Sequence, residues 1–314
     1  MDVNPLDPLY IPPRLLHRDR EVRILRGFIS DSQDEPVICT IYGVRGIGKT
    51  VLARWVLNHM KTPWTYSHIE RLFSPFPHGQ VSIIDDVRIN DPRVIELIDR
   101  VRENGASLIL VFEMLNFLRI REYLMPHVDA VLELDIYTPK QFWDIVADRI
   151  NQVFGELPRV IYDFIADMTL TFDSPRPGTA IQVIRQVYFS RRRITPRSLM
   201  QAANELGFID GYSTDLITGI GLFSRETLLI MEEMAVTILS DDIPYFTIEQ
   251  IDEIYHNVHE SVGVPYSKER LKLLIRGLIN AGIIFRSNFR PNMYFSILDP
   301  ELLRMAIEEA LMYR

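Results

Sequence analysis

The sequence predicts an α/β protein: a core of parallel strands covered by helices, then an all-helical stretch, then a smaller helical domain ending in a β-hairpin. Three observations carry that expectation. Gly43 to Thr50 reads GVRGIGKT, which fits the phosphate-loop pattern G-x-x-x-x-G-K-[ST] at every fixed position. Short apolar strand runs alternate with amphipathic helices up to about Asp135, and beyond it the apolar spacing is helical. After a turn-rich linker, three helices precede two strand-like runs on either side of Ser287–Met293.

The flanks of the phosphate loop have the order that its chemistry needs. Val37 to Tyr42 is a short, mostly apolar run, as expected of a parallel strand covered on both faces. From Lys49 to Met60, Val51, Leu52, Trp55, Val56 and Met60 recur at near-helical spacing. In such a strand–turn–helix, the backbone N–H groups of Gly46, Ile47 and Gly48 form a nest for a β-phosphate at the positive end of the helix. Lys49 is expected to reach the β- and γ-phosphates, and the Thr50 hydroxyl to hold Mg²⁺. The expected ligand is a nucleoside triphosphate.

Composition narrows the setting. Apolar residues make up 47% and charged residues 24%, the balance of an ordinary globular chain, and 314 residues suggest about two domains. One cysteine, Cys39, leaves no disulfide framework and fits a reducing interior. The first residues lack a signal-peptide layout and no run of about 18 apolar residues occurs, so the expected location is cytoplasmic, with no membrane partner. A net charge of −8 argues against coating nucleic acid broadly but leaves room for a local basic face.

In chain order, a proline-rich arm (Pro5, Pro8, Pro12, Pro13) is expected to be extended up to Leu16. A helix follows with the stripe Val22, Leu25, Phe28 and Ile29. An arm and helix ahead of the phosphate-loop strand resemble the layout of AAA+ ATPases, in which the arm wraps the adenine; the cofactors implied are ATP or ADP with Mg²⁺. Val81 to Val87 is a second strand run ending in Asp85-Asp86, the Walker B position. Asp85 would hold the Mg²⁺ shell and Asp86 would orient an attacking water; a helix cap or turn is the plainer alternative for such a pair. An amphipathic helix spans Arg93–Asn104, and further strands are expected at Ser107–Phe112 and Val128–Leu134. At the end of the third strand, Asn116 or Glu113 could serve as a polar sensor.

The all-helical lid holds Lys140–Phe154, capped by Thr138, then Pro158–Leu170, a helix from about Thr179 to Phe189, and Pro196–Leu206. Arg176 precedes the third of these, where AAA+ lids carry a sensor arginine; a solvated loop arginine is the alternative. Arg191-Arg192-Arg193 reads as a solvated helix end. These divisions give a core at 1–135, a lid at 136–207, a linker at 208–222 and a last domain at 223–314.

The last domain has the winged-helix order. Its third helix, Ser267–Ala281, places Leu271, Leu274, Ile275 and Leu278 within an arc of roughly 100°. Lys268, Lys272 and Arg276 align on an exposed flank, and Arg286 and Arg290 belong to the wing. That is the footprint of a recognition helix and wing on double-stranded DNA. Against it, residues from Leu222 onward hold nine basic and fourteen acidic side chains, and winged helices also contact proteins.

Nearly the whole chain resembles archaeal replication initiators of the origin-recognition-complex and cell-division-control type, AAA+ ATPases with a C-terminal winged helix. Tyr10 to Asp19 (YIPPRLLHRD) is similar to that family's N-terminal Y-x-P…L-x-H-R-[DE] signature. Leu132 to Thr138, with Phe142, Ile145 and Arg149, is similar to the start of the family's lid, and Leu278 to Ile284 plus the hairpin to its winged-helix end. The resemblance implies nucleotide contacts for Tyr137 and Arg149, and partners in double-stranded DNA, an MCM helicase or an initiator paralogue. Some positions depart from the family pattern. Asp86 replaces its glutamate, Glu113 falls where it has a sensor asparagine, His127 falls at its arginine-finger position, and Gly178 lies near the lid's sensor arginine with Arg176 two residues early. The segment between phosphate loop and Walker B is short, so a DNA-contacting insertion is not expected there. A diverged paralogue with weak hydrolysis is the implied form.

Overall fold

In chain order the first half forms α1 (Asp19–Asp31), β1 (Ile38–Gly43), α2 (Lys49–Met60), β2 (Trp64–His68), β3 (Val81–Val87), α3 (Arg93–Glu103), β4 (Ser107–Glu113), α4 (Met114–Leu124), a 3-10 turn (Met125–His127) and β5 (Ala130–Glu133). This computed structural model describes residues 4–31, 35–69, 76–88, 93–209, 219–242, 244–263 and 265–312. The strands pair in the order β2-β3-β4-β1-β5, all parallel. Apolar residues of β3 and β4 meet α3 and α4 in one core that includes Ile84, Val87, Val94, Ile98, Phe112 and Phe117. Cys39 is buried within β1, and burial pushes its thiol up to about 12, so it stays an unreactive apolar filler.

Two elements have no counterpart in the sequence reading, and one expectation is corrected. The stretch Trp64–His68 is the edge strand β2, paired with β3 from Trp64↔Val81 to His68↔Asp85. Its WTYSH sequence offers no apolar run, because an edge strand with partly exposed faces does not need one; its aromatics and threonine suit a pleated surface. Helix α4 follows β4 with no intervening loop, and Glu113 caps it in extended conformation. Only Phe117 and Leu124 are buried along it, while Leu115, Leu118 and Tyr123 are exposed, so apolar side chains on every face hid the helical period. The N-terminal arm is turned, not extended: Asn4 Oδ1 accepts from the Leu6 N–H at 2.9 Å and Asp7 Oδ1 from the Leu9 N–H at 2.7 Å. Short Asn and Asp side chains closing turns on their own backbone outweighed the prolines.

The second half contains α5 (Pro139–Phe154), α6 (Arg159–Phe172), α7 (Pro177–Phe189), α8 (Pro196–Glu205), a 3-10 turn (Ile220–Leu222), α9 (Arg225–Asp241), β6 (Tyr245–Thr247), α10 (Ile248–Val262), α11 (Lys268–Asn280), β7 (Phe285–Arg286), β8 (Met293–Phe295) and α12 (Pro300–Met312). Most of the expected linker falls outside the described residues. Capping explains the helix starts. Thr138 and Gln141 exchange backbone bonds ahead of α5, Thr247 and Gln250 do so at α10, and Ser224 and Ser267 accept the capping bonds of α9 and α11. The hairpin is one strand larger than expected: β6 joins β8 antiparallel, giving the order β6-β8-β7. A three-residue strand ahead of a capping box leaves almost no pattern to read.

Residues divide into two compact units, Met1–Val153 with Pro175–Thr179, and Phe154–Ser174 with Ala180–Arg314. Within the second, α9 to α12 share a core built on Leu228, Met231, Ile251, Tyr255, Ile275, Leu278 and Ile307. Two buried carboxylates of α6 hold the wing in this unit. Asp167 accepts hydrogen bonds from Tyr245 Oη (2.9 Å), Ser287 Oγ (2.5 Å), the Asn288 N–H (2.7 Å) and Asn288 Nδ2 (3.2 Å). Asp163 pairs with Arg290 Nε at 2.9 Å. Burial pushes the Asp167 carboxyl above the ordinary carboxylate value, and the four donated bonds pull against that rise. Replacing it with alanine leaves those donors unpaired in an apolar setting. Asp167→Ala is therefore expected to lower stability by about 3 kcal/mol, read as a shift of the urea midpoint at unchanged m-value.

Candidate nucleotide-binding site and nucleic-acid face

Parallel pairing sets the site at the C-terminal ends of β1, β3 and β4, where Gly43 lies opposite Glu113 in register. Between β1 and α2 the loop turns through Gly46 (φ 82°) and Gly48 (φ 92°), the latter being the N-cap of α2. Side chains other than glycine rarely adopt that left-handed backbone, so these glycines are what the turn requires. Lys49 is buried, and its Nζ donates to the carbonyls of Gly43 (3.0 Å) and Val44 (2.8 Å). Desolvation lowers its pKa, opposed by the nearby charges of Asp85 and Glu113.

Thr50 Oγ1 donates to Asp85 Oδ2 at 2.7 Å, joining the phosphate loop to the end of β3. The same oxygen accepts from Tyr66 Oη of β2 at 3.0 Å, and Asp85 Oδ1 accepts the Asp86 N–H at 2.8 Å. Tyr66 is a site residue that the sequence did not reveal, since it lies on the unrecognised strand. Its phenol is shifted upward by burial and then by Asp85. A hydroxyl and a carboxylate this close, beside a buried lysine and a glycine turn, suit Mg²⁺ and the phosphates of a nucleotide, because magnesium takes oxygen ligands and shares them with phosphate groups. Asp86 departs from its neighbour. The β3–β4 register shifts between Ile84 and Val87, Asp86 takes a left-handed φ of 56°, and its carboxylate pairs with Arg88 at 3.2 Å.

Tyr137 sits against the loop, its hydroxyl donating to the Ile47 carbonyl at 3.3 Å. Arg18 orients it. The buried guanidinium donates from Nε to Tyr137 Oη at 2.8 Å and from Nη2 to the Asp135 carbonyl at 2.8 Å, with its carbon 4.0 Å from the ring centroid. Arg18 belongs to the His17-Arg18-Asp19 signature, but its role depends on a partner 119 residues away. Arg149 is also buried, and the structure places it on the N-terminal arm: Nη1 donates to the Pro5 carbonyl, and the guanidinium carbon lies 4.7 Å from the Tyr10 ring centroid. Tyr10 Oη in turn donates to Gln152 at 2.8 Å.

Arg176 and Gly178 both reach the loop. A Cβ at Gly46 would lie 3.6 Å from both Arg176 Cβ and Gly178 Cα. The Gly178 N–H donates to the Gly46 carbonyl at 2.9 Å. Glu113 occupies the strand end, with Arg45 Nε 4.0 Å away, whereas Asn116 falls in the first turn of α4. His127 lies in the 3-10 turn after α4.

On α11 the expected arc is the observed one: Leu271, Ile275 and Leu278 are buried, Leu274 is half-buried, and Lys268, Lys272 and Arg276 are exposed. Arg286 is exposed at the end of β7. Arg290 differs from the rest of the set, because its guanidinium lies between Asp163 and the Tyr245 ring, 4.8 Å from the ring centroid.

The closeness of Gly178 to the loop generates a test. A Cβ there would come within 2.9 Å of Gly46 Cα, a backbone atom with little room to yield. Gly178→Ala is expected to lower stability by about 1–3 kcal/mol and to weaken nucleotide binding, as measured by urea unfolding and titration calorimetry. Gly27→Ala, whose added methyl meets nothing within 4 Å, serves as the control that leaves binding unchanged.

No family model and no curated protein matches the sequence. Solved structures do match. Cdc6p from Pyrobaculum aerophilum is 18% identical, with 100% of this chain and 98% of that chain covered and a TM-score of 0.76. ORC1 of Aeropyrum pernix, in complex with DNA, is 19% identical over 97% of this chain and 95% of its own, with a TM-score of 0.51. ORC2 of the same organism, described as ADPNP-ADP complexes, is 14% identical over 99% and 98%, with a TM-score of 0.50. The chain thus has the fold of these archaeal Cdc6 and origin-recognition-complex structures, a parallel α/β core followed by a winged helix.

Proposed function

We propose that the protein is an ATP-binding, DNA-binding replication-initiator-like protein with a weak ATPase. The observation that carries the nucleotide half is the 2.7 Å bond between Thr50 and Asp85 beside the glycine turn. In this reading Thr50 and Asp85 hold Mg²⁺, the N–H groups of Gly46, Ile47 and Gly48 bind phosphate oxygens, and Lys49 exchanges its loop carbonyls for phosphate. Tyr137 and Arg18 support the loop from behind, Arg176 lies within reach of the phosphates, and Arg149 fixes the arm. Bound nucleotide supplies the phosphoryl group, and Mg²⁺ neutralises its charge. Asp86 would position the attacking water, and its pairing with Arg88 together with its shorter side chain favours slow turnover, since small misplacements of a reacting group can cost about 10²-fold.

The DNA half rests on Lys268, Lys272 and Arg276, none of which carries an ion pair among the described residues, with Arg286 alongside. Duplex DNA is the partner, and recruitment of an MCM helicase or pairing with an initiator paralogue belongs to the same proposal, as does a cytoplasmic location. The organisation is a core at 1–135, a lid at 136–207, a linker at 208–222 and a winged helix at 223–314. A second reading, an ATP-dependent switch whose winged helix binds a protein, is favoured by the acidic balance of the last domain and by the attachment of Arg290 to Asp163.

Lys49→Ala is expected to weaken ATP binding at least about tenfold in calorimetry, with wild-type turnover below about 1 s⁻¹; unchanged affinity in a folded variant rejects the nucleotide assignment. With Arg290 tied down, three or four phosphates remain to be neutralised, so duplex affinity should fall with salt at a log–log slope of about −3 to −4. Lys272→Glu combined with Arg276→Glu should abolish duplex binding and leave ATP affinity intact. A duplex affinity and slope untouched by that pair would favour the protein-binding reading.

A further inference from the structure

The run from Ser174 to Asn204 contains six arginines and no aspartate or glutamate, in a chain whose net charge is −8. Two of the six are neutralised by distant carboxylates, Arg192 by Glu205 at 2.5 Å and Arg197 by Glu301. Arg185, Arg191 and Arg193 have no carboxylate partner among the described residues, and Arg191 and Arg193 are exposed. They gather at the C-terminal turn of α7. There the Arg191 N–H donates to the Tyr188 carbonyl at 3.0 Å and the Arg192 N–H to the Val187 carbonyl at 3.3 Å, with Arg191 in a left-handed conformation at φ 54°.

Two aromatic side chains stand at the same turn. Tyr188 is 40% and Phe189 60% exposed, with ring centroids 5.4 Å apart at 86°. The Arg185 guanidinium lies 5.4 Å from the Phe189 ring, and Phe154 packs edge-on against Tyr188 at 5.9 Å. Packing does not account for the outer ring. Ala180, Val183, Ile184 and Val187 are the buried face of α7, and at about 100° per residue Phe189 and Arg185 fall on its opposite side. Attraction to the helix dipole accounts for positive charge at a helix C-terminus but gives no reason for a phenyl ring in water.

We infer that the C-terminal turn of α7 binds single-stranded nucleic acid, with Arg185, Arg191 and Arg193 on the phosphates and Phe189 and Tyr188 stacking on bases. Unpaired strands expose both a charged backbone and the π-faces of their bases, and exposed aromatics interleaved with arginine engage both. In a duplex those faces are covered by neighbouring pairs, so the rings would gain nothing. This site shares no residue with the α11 stripe and stands apart from the duplex-binding reading.

The test uses the full chain and a fluorescein-labelled oligothymidine of about 20 nucleotides, followed by fluorescence anisotropy. Three arginines on a single strand should give a log–log salt slope of about −2. Phe189→Ala should weaken binding at least about fivefold, and Phe189→Leu should do the same, because leucine restores apolar area but not a stacking face. Arg191→Gln with Arg193→Gln should reduce the slope to about −0.7. None of these changes should alter ATP affinity, duplex affinity or the thermal midpoint. Conversely, Lys272→Glu with Arg276→Glu should leave oligothymidine binding in place. The proposal is overturned if oligothymidine does not bind, if binding survives both the Phe189 and the double glutamine changes, if it is lost only with Lys272 and Arg276, or if phosphatidylserine vesicles bind through the same arginines while oligothymidine does not.

Discussion

Everything at the candidate nucleotide site depends on the parallel direction of the central strands. Because β1, β3 and β4 run the same way, their C-terminal ends share one edge of the sheet. The glycine loop, Asp85 and Glu113 therefore meet there although they are far apart in sequence. Ligands of open α/β sheets bind at that edge for the same reason. The Thr50–Asp85 bond is the direct expression of that geometry: one residue follows β1, the other ends β3, and β4 lies between the two strands.

Charged side chains in the interior do the attaching. In the first unit two buried arginines, Arg18 and Arg149, fasten the segment ahead of α5 and the N-terminal arm by donating to backbone carbonyls and stacking on tyrosines. In the second, two buried aspartates of α6 fasten the wing. Arg18 and Asp167 are matched by three and four hydrogen bonds, Asp163 by Arg290 and Arg159, and Arg149 by the Pro5 carbonyl and the Tyr10 ring, and these partners offset the desolvation. One consequence is chemical: Arg290 is occupied within the fold, whereas Lys272 and Arg276 project from α11 into solvent.

Most of the core was legible because its signals are local. A phosphate loop declares itself by glycines that only a turn with positive φ needs, and buried parallel strands declare themselves by apolar runs, as in β1, β3 and β4. The exposed stripe of α11 followed from helical spacing alone. What escaped were elements whose sequence need not carry a pattern: β2, held by an edge pairing; α4, apolar on every side; and β6, three residues long.

By itself, then, the sequence determined the phosphate loop, the strand ends that carry Asp85 and Glu113, the order of the helices other than α4, and which residues of α11 face outward. Each is set by periodicity or backbone conformation within a dozen residues. Only the tertiary structure decided which polar side chains meet. Tyr66 reaches Asp85, Arg18 holds Tyr137, Arg149 takes the arm, Gly178 abuts Gly46 and Arg290 turns to Asp163. Those pairings join segments up to 144 residues apart, and a hydrogen bond between distant segments leaves no period in either one.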